Sequence, residues 1–168
     1  MRKVSITQHS KKISIILEKL ENSKISTEIV EKDAKGNAQA LCALKGKISK
    51  NFVVMSGDTY NNFDLAKMIK KHSEADKLAT MGLMTREKAS SYGTAILDGD
   101  LIVDFQEKPR HHSTNIVNAG IYLFKPEIFE IIENDSSLEK STFPKIARLK
   151  QLVGFFTYGE YFHAEELR

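Results

Sequence analysis

Four short stretches carry residue types that could do chemistry. Asp58 follows the apolar run Phe52-Val53-Val54-Met55 and the pair Ser56-Gly57. Such a run reads as a strand covered on both faces. Its aspartate then falls at the carboxyl end of a sheet, where open α/β sheets take ligands. A hard carboxylate there suits Mg²⁺ shared with phosphate oxygens. It equally suits a turn or helix cap, with Thr59 as the capping partner. In Gly36-Asn37-Ala38-Gln39-Ala40, small residues before a helix let backbone N–H groups approach a flat or anionic ligand, and Gln39 could read a base edge. An ordinary turn and helix start reads the same way. Glu107-Lys108-Pro109 ends a strand with an acceptor for sugar hydroxyls and a cation for phosphate, or with a solvated charge pair. The proline predicts an extended turn at Lys108. Asn118, in Asn118-Ala119-Gly120, sits inside an apolar strand, where its amide needs partners: a ligand hydroxyl or a neighbouring backbone group.

The elements that must position these residues alternate. Val4 to Thr7 predicts a strand. Ser10 predicts an N-cap for a helix with Ile13, Ile16, Leu17 and Leu20 at helical spacing. Strands follow at Ser26 to Val30, Phe52 to Met55 and Lys77 to Met84. Between them lie a turn at Asp33 to Asn37, a short helix over Ala38 to Leu44, and a helix marked by Leu65, Met68 and Ile69. Strand and helix in alternation argue for a parallel, helix-covered sheet. The second half is richer in strands. Asp98-Gly99 predicts a type I′ hairpin. Ile116 to Phe124 and Val153 to Tyr158 read as further strands, Pro126 opens a helix through Ile132, and Thr142 to Ala147 forms another.

At 168 residues with 41% hydrophobic content, the chain fits one domain with a real core. No stretch approaches the ~18 apolar residues of a membrane span. The N-terminal residues have no secretory apolar core, and the single cysteine, Cys42, makes no internal disulfide, so a cytoplasmic location is expected. The net charge of +3 is spread along the chain rather than gathered in one block, which argues against nucleic acid and suits an anionic small molecule equally well. His111-His112 reads as a solvated loop, Cys42 as a packed thiol, and Tyr158, Tyr161 and Phe162 as edge packing.

Taken in order, EKDAKGNAQAL, FVVMSGDT, YGTAILDGDLIVDFQEKP, NIVNAGIYLF and STFPKIA resemble the sugar-1-phosphate nucleotidyltransferase family, from about Val4 to Tyr161. That family includes glucose-1-phosphate thymidylyl- and uridylyltransferases and mannose-1-phosphate guanylyltransferases. The resemblance implies attack of a sugar 1-phosphate on the α-phosphorus of a nucleoside triphosphate, giving an NDP-sugar and pyrophosphate. It implies Asp58 as the Mg²⁺ ligand and Lys108 near the sugar phosphate. Gly36, Asn37 and Gln39 then face the nucleotide, and Gly93, Glu107 and Asn118 the sugar.

The implied fold is α/β: a Rossmann-like mixed, mainly parallel sheet with helices on both faces and a β-rich sugar-binding half. Residues 1–85 form the nucleotide side and 86–168 the sugar side of one domain. The glycine-rich GGxGTRLxPLT stretch of the family and its C-terminal Asp-x-Gly-Thr have no match here, so the expectation is an N-terminally truncated nucleotidyltransferase fold with impaired turnover. In the Asp-x-Gly-Thr region the sequence reads Tyr161 to Leu167, where His163 or Glu165 could substitute as a metal ligand. The rival reading is an inactive sugar-phosphate or nucleotide-binding module, or a gene fragment of such an enzyme. No nucleic-acid or membrane partner is expected; a homodimer through exposed sheet edges is.

Overall fold

A computed structural model describes the chain over residues 3–7, 26–31, 34–133 and 137–163, with side chains over 34–133 and 137–162. The predicted helix from Ser10 to Leu20, the turn residue Asp33 and the candidate Glu165 lie outside the described residues, as does the side chain of His163. Strands β1 (Lys3–Thr7) and β2 (Ser26–Glu31) pair in parallel. Six further strands make the central sheet: β3 (Phe52–Met55), β5 (Ala79–Thr85), β6 (Thr94–Asp98), β7 (Leu101–Gln106), β8 (Ile116–Phe124) and β9 (Leu152–Phe156). Their spatial order is β3–β8–β5–β9–β7–β6. The sheet therefore draws on both halves of the sequence, with β8 between β3 and β5.

The α/β class and the mixed sheet are as expected, and the direction of pairing is the correction. Among the described residues, parallel pairing is confined to β1–β2 and β5–β9. The pairs β3–β8, β5–β8, β6–β7 and β7–β9 are antiparallel. The cause is topological: β8 enters the sheet between β3 and β5 running against both. The β6–β7 hairpin, being a hairpin, is antiparallel by construction.

Helices cover both faces. Along β8 the side chains alternate, so Tyr122 and Phe124 face one way and Ile121 and Leu123 the other. Helix α2 (Leu65–Ala75) sets Met68 against Ile121 and Leu123. Its cap is Asp64, whose Oδ1 accepts the Lys67 N–H at 3.0 Å, and it ends at Asp76 with φ 51°. Helix α3 (Phe143–Arg148) lays Phe143 and Ile146 on the opposite face with Met81, Leu83, Tyr122 and Phe124. The Phe143 ring meets Tyr122 at 4.8 Å and Phe105 at 5.4 Å between centroids. Burial of this apolar surface stabilises the sheet sandwich at about 25 cal/mol per Å².

Several local features differ from expectation. The hairpin places Gly99 alone, φ +60°, at the first central position, with Asp98 paired to Leu101. That is the II′ rather than the I′ pattern. Pro126 opens a 3₁₀ turn ending at Glu130 instead of a longer helix. The last helix starts at Phe143 and is preceded by a π turn over Leu138–Thr142. The first helix, α1, covers Asn37–Cys42. A small ribbon was not foreseen: β4 (Thr59–Asn61) pairs antiparallel with β10 (Tyr161–His163). Among the described residues no helix is long and apolar enough to cross a membrane.

Candidate functional site

A cleft of about 340 Å³ opens at the carboxyl end of β3, beside the bulged middle of β8. Five of the eight expected site residues line it: Asp58, Gly93, Glu107, Lys108 and Asn118. Gly36, Asn37 and Gln39 do not.

The bulge in β8 shapes the cleft floor. Across the β5–β8 ladder Met81 faces Tyr122 and Leu83 faces Asn118, so the single residue Gly82 faces residues 119–121. The extra residues bend the strand. Gly120 sits in the bulge at φ +71°, a conformation that favours glycine. Asn118 locks it: its Oδ1 accepts the Gly120 N–H at 2.9 Å, and its Nδ2 donates to Tyr122 Oη at 2.7 Å. Half of the amide's bonding capacity is thus spent inside the protein. Of the two partners weighed for Asn118, the protein groups are present. The Asn118 N–H donates to Gly93 O at 2.9 Å, joining the two residues through backbone.

Glu107 and Lys108 follow β7. The Glu107 side chain is 20% exposed and that of Lys108 64%, with Lys108 Nζ 3.9 Å from Glu107 Oε1. Burial pushes the Glu107 carboxyl above its ordinary value, and the Glu139 carboxylate adds to this; Lys108 and Lys140 pull the other way. Burial, then Glu139, likewise holds the Tyr122 phenol above its usual range. Lys108 departs from the extended turn that Pro109 predicted: it takes φ +43°, and its N–H donates to Tyr92 O at 3.2 Å. That bond to the neighbouring loop accompanies a conformation the following proline disfavours.

Asp58 lies exposed in the turn that joins β3 to β4, at the cleft. It is not a helix cap; that role belongs to Asp64, and Thr59 Oγ1 donates to Ser56 O at 3.2 Å. Among the described residues no group of three His, Cys, Asp or Glu could hold a metal by itself. A carboxylate at the mouth of a cleft fits Mg²⁺, which is commonly held by one or two carboxylates plus substrate phosphates.

In the nucleotide-side segment, Gln39 Oε1 accepts the Lys35 N–H at 2.8 Å. Asn37 Nδ2 donates to both carboxylate oxygens of Glu139, at 2.8 and 2.9 Å. Glu139 lines the cleft, yet nothing in its surroundings in the sequence singles it out: an acidic residue early in a helical turn reads as a complement to the helix dipole. Tyr161, read from the sequence as edge packing, forms another wall. Arg86 holds it, stacking 5.1 Å from the ring centroid and donating from Nη2 to Tyr161 O at 3.3 Å. Of the remaining residues singled out, His111 and His112 are exposed and Phe162 packs on Tyr60 at 6.1 Å. Tyr158 is 95% exposed rather than packed at an edge.

Comparison with known proteins adds the following. Residues 1–154 match the nucleotidyl transferase family. The mannose-1-phosphate guanylyltransferase catalytic subunit beta of Drosophila pseudoobscura pseudoobscura is 32% identical over 142 residues, covering 80% of this chain and 38% of that protein. The bifunctional protein GlmU of Methanococcus aeolicus is 28% identical over 140 residues, covering 83% of this chain and 33% of that protein. The chain thus spans between 33% and 38% of the length of these relatives. The crystal structure of HddC from Yersinia pseudotuberculosis matches with a TM-score of 0.77 at 19% identity, over 97% of this chain and 73% of that one. UDP-glucose pyrophosphorylase complexed with UDP-glucose matches at 0.75 and 18% identity, over 99% and 76%. At such identities the likeness is one of fold.

Proposed function

The chain belongs to the nucleotidyl transferase family, and from that premise we propose that it serves nucleotidyl transfer from a nucleoside triphosphate to a sugar 1-phosphate, forming an NDP-sugar and pyrophosphate. The observation that carries the reading is the convergence of Asp58, Gly93, Glu107, Lys108 and Asn118, from separate elements, on one cleft. In this reading the Glu107 carboxylate accepts hydrogen bonds from sugar hydroxyls. The Gly93 backbone and the remaining capacity of the Asn118 amide contact the same ring. The Lys108 ammonium, largely exposed on the rim, neutralises the sugar phosphate. The segment around Gly36 and Gln39 borders the nucleotide, and the reach of Asn37 to Glu139 supports its nearness to the cleft. Mg²⁺, when bound on Asp58 and the substrate phosphates, supplies charge neutralisation. The reaction needs positioning and electrostatics more than covalent chemistry.

A cytoplasmic location accompanies this reading, because both substrates are highly charged small molecules. A homodimer through exposed sheet edges is part of it too: among the described residues β3 is one of the two outer strands of the central sheet and exposes Val53 and Met55. The test is pyrophosphate release across GTP, UTP and dTTP with mannose 1-phosphate and glucose 1-phosphate, beside calorimetry with each compound alone. Turnover supports a transferase. Sugar-phosphate binding without turnover marks a binding module, and neither result from any combination refutes the reading.

A further inference from the structure

Asn37 was expected to face a nucleotide, yet its side chain is engaged inside the protein, with a residue 102 positions away. Its Nδ2 donates to both oxygens of Glu139, and its Oδ1 accepts the Leu138 N–H at 3.0 Å. Ser137 completes the arrangement: its Oγ donates to Glu139 Oε2 at 2.9 Å and accepts the Lys140 N–H at 3.1 Å. Both oxygens of a cleft-lining carboxylate are therefore held from outside the cleft. Without those donors Glu139 would sit at the start of a short irregular turn, with its rotamers open. The hydrogen-bonding face of the Asn37 amide, Nδ2 and Oδ1 together, is thus committed to Glu139 and Leu138.

We propose that Asn37 is a positioning residue: it fixes the Glu139 carboxylate at the sugar end of the cleft instead of reading the nucleobase, and so ties the segment around Gly36 to sugar binding. The inference rests on the sugar-phosphate reading given above. The side of the cleft that faces Glu107 is then preset by a residue of the other half of the chain. The influence of Glu139 on Glu107 and Tyr122 is consistent with that placement. Preset donors and acceptors raise affinity by removing ordering costs at the moment of binding.

A double-mutant cycle with N37D, E139Q and N37D/E139Q tests this. N37D keeps an acceptor for the Leu138 N–H but turns the donor toward Glu139 into a like charge. Both positions are at least partly exposed, so the variants are expected to fold, and thermal melts verify it. Calorimetry then reads binding of mannose 1-phosphate, glucose 1-phosphate, GTP, UTP and dTTP. N37D is expected to weaken sugar 1-phosphate binding about tenfold. It should leave triphosphate affinity within about twofold and have almost no further effect in the E139Q background. Loss of triphosphate rather than sugar-phosphate affinity overturns the inference. So does wild-type affinity of N37D for sugar phosphates, or an undiminished effect of N37D beside E139Q. If the wild type binds none of the sugar phosphates, the proposed function itself fails and the inference falls with it.

Discussion

The Glu107 carboxylate lies against the backbone of Gly93, so close that a Cβ on residue 93 would come within 2.9 Å of Glu107 Oε2 and would also strike the Phe105 ring. Phe105 is buried and packs on Phe143, so it cannot yield without disturbing the core. Gly93→Ala is therefore expected to destabilise the fold by about 1–3 kcal/mol through overpacking. It should also displace Glu107 and weaken sugar-phosphate binding. Urea titrations and calorimetry on the same variant read the two effects. A variant as stable as wild type would mean that Phe105 and Glu107 relax freely.

A pH dependence follows from Glu107. To accept hydroxyl hydrogen bonds fully, the carboxyl must be ionised. Its folded-state value is raised by burial and then by Glu139, so the charged form is lost on acidification at a higher pH than for an ordinary glutamate. Sugar-phosphate affinity is expected to fall there, and Glu107→Gln should abolish that step while lowering affinity at neutral pH. For stability the sign is opposite. The folded state holds this proton more tightly than the unfolded chain does. The contribution of Glu107 is thus present below 4.5 and lost as pH rises through the folded value. Calorimetry and melts across a pH series separate the two.

Lys108 offers a test of backbone strain at the site. Its φ of +43° costs an L-residue about 1–2 kcal/mol, a cost glycine does not bear. Lys108→Ala and Lys108→Gly remove the same ammonium and should weaken sugar-phosphate binding alike. The glycine variant is expected to be the more stable by roughly 1 kcal/mol, against the usual order for these residues. Equal or reversed stabilities in urea would show that the loop carries no such strain.

Much of the scaffold was legible in the sequence, and the reasons differ by element. Phe52 to Met55 and Ile116 to Phe124 are strands as expected, but β3 is not covered on both faces: it ends the central sheet and leaves Val53 and Met55 exposed. Chain direction was not legible: period and composition say which face of a strand is buried, not which way its neighbour runs. The pattern of Asp58, Glu107, Lys108 and Asn118 was read as a set, and these residues share one cleft. Glu139 and Tyr161 escaped because their places depend on distant partners, Asn37 and Arg86, that no local spacing encodes. The ribbon of β4 with β10 is of the same kind, built from strands too short to announce themselves.

His72 provides a stability test away from the cleft. It is 1% exposed, and its Nδ1 lies 2.9 Å from Thr80 Oγ1. Its Nε2 is buried without a hydrogen-bond partner among the described residues, and Lys125, paired with Asp76, stands near. Burial, then Lys125, lowers its pKa below the ordinary 6.5. The unfolded chain therefore takes up the proton first. The contribution of His72 is complete above 6.5 and declines as pH falls from there toward the lowered folded value. Urea midpoints at about pH 7.5 and about pH 5.5 should differ in the wild type and differ less in His72→Gln. An unchanged difference in that variant would assign the acid sensitivity to other groups.

The pairing of Thr59–Asn61 with Tyr161–His163 has a consequence for biosynthesis. The wall of the cleft at Asp58 leaves the ribosome first, and the wall at Tyr161 emerges about a hundred residues later, some 5–20 s at ordinary elongation rates. For much of that interval β3 waits for β8, its one neighbour in the central sheet among the described residues, with its backbone ladder unpaired. The nascent chain is expected to need chaperone cover in that window, and to gain ligand-dependent protease resistance only after residue 161 has cleared the exit tunnel.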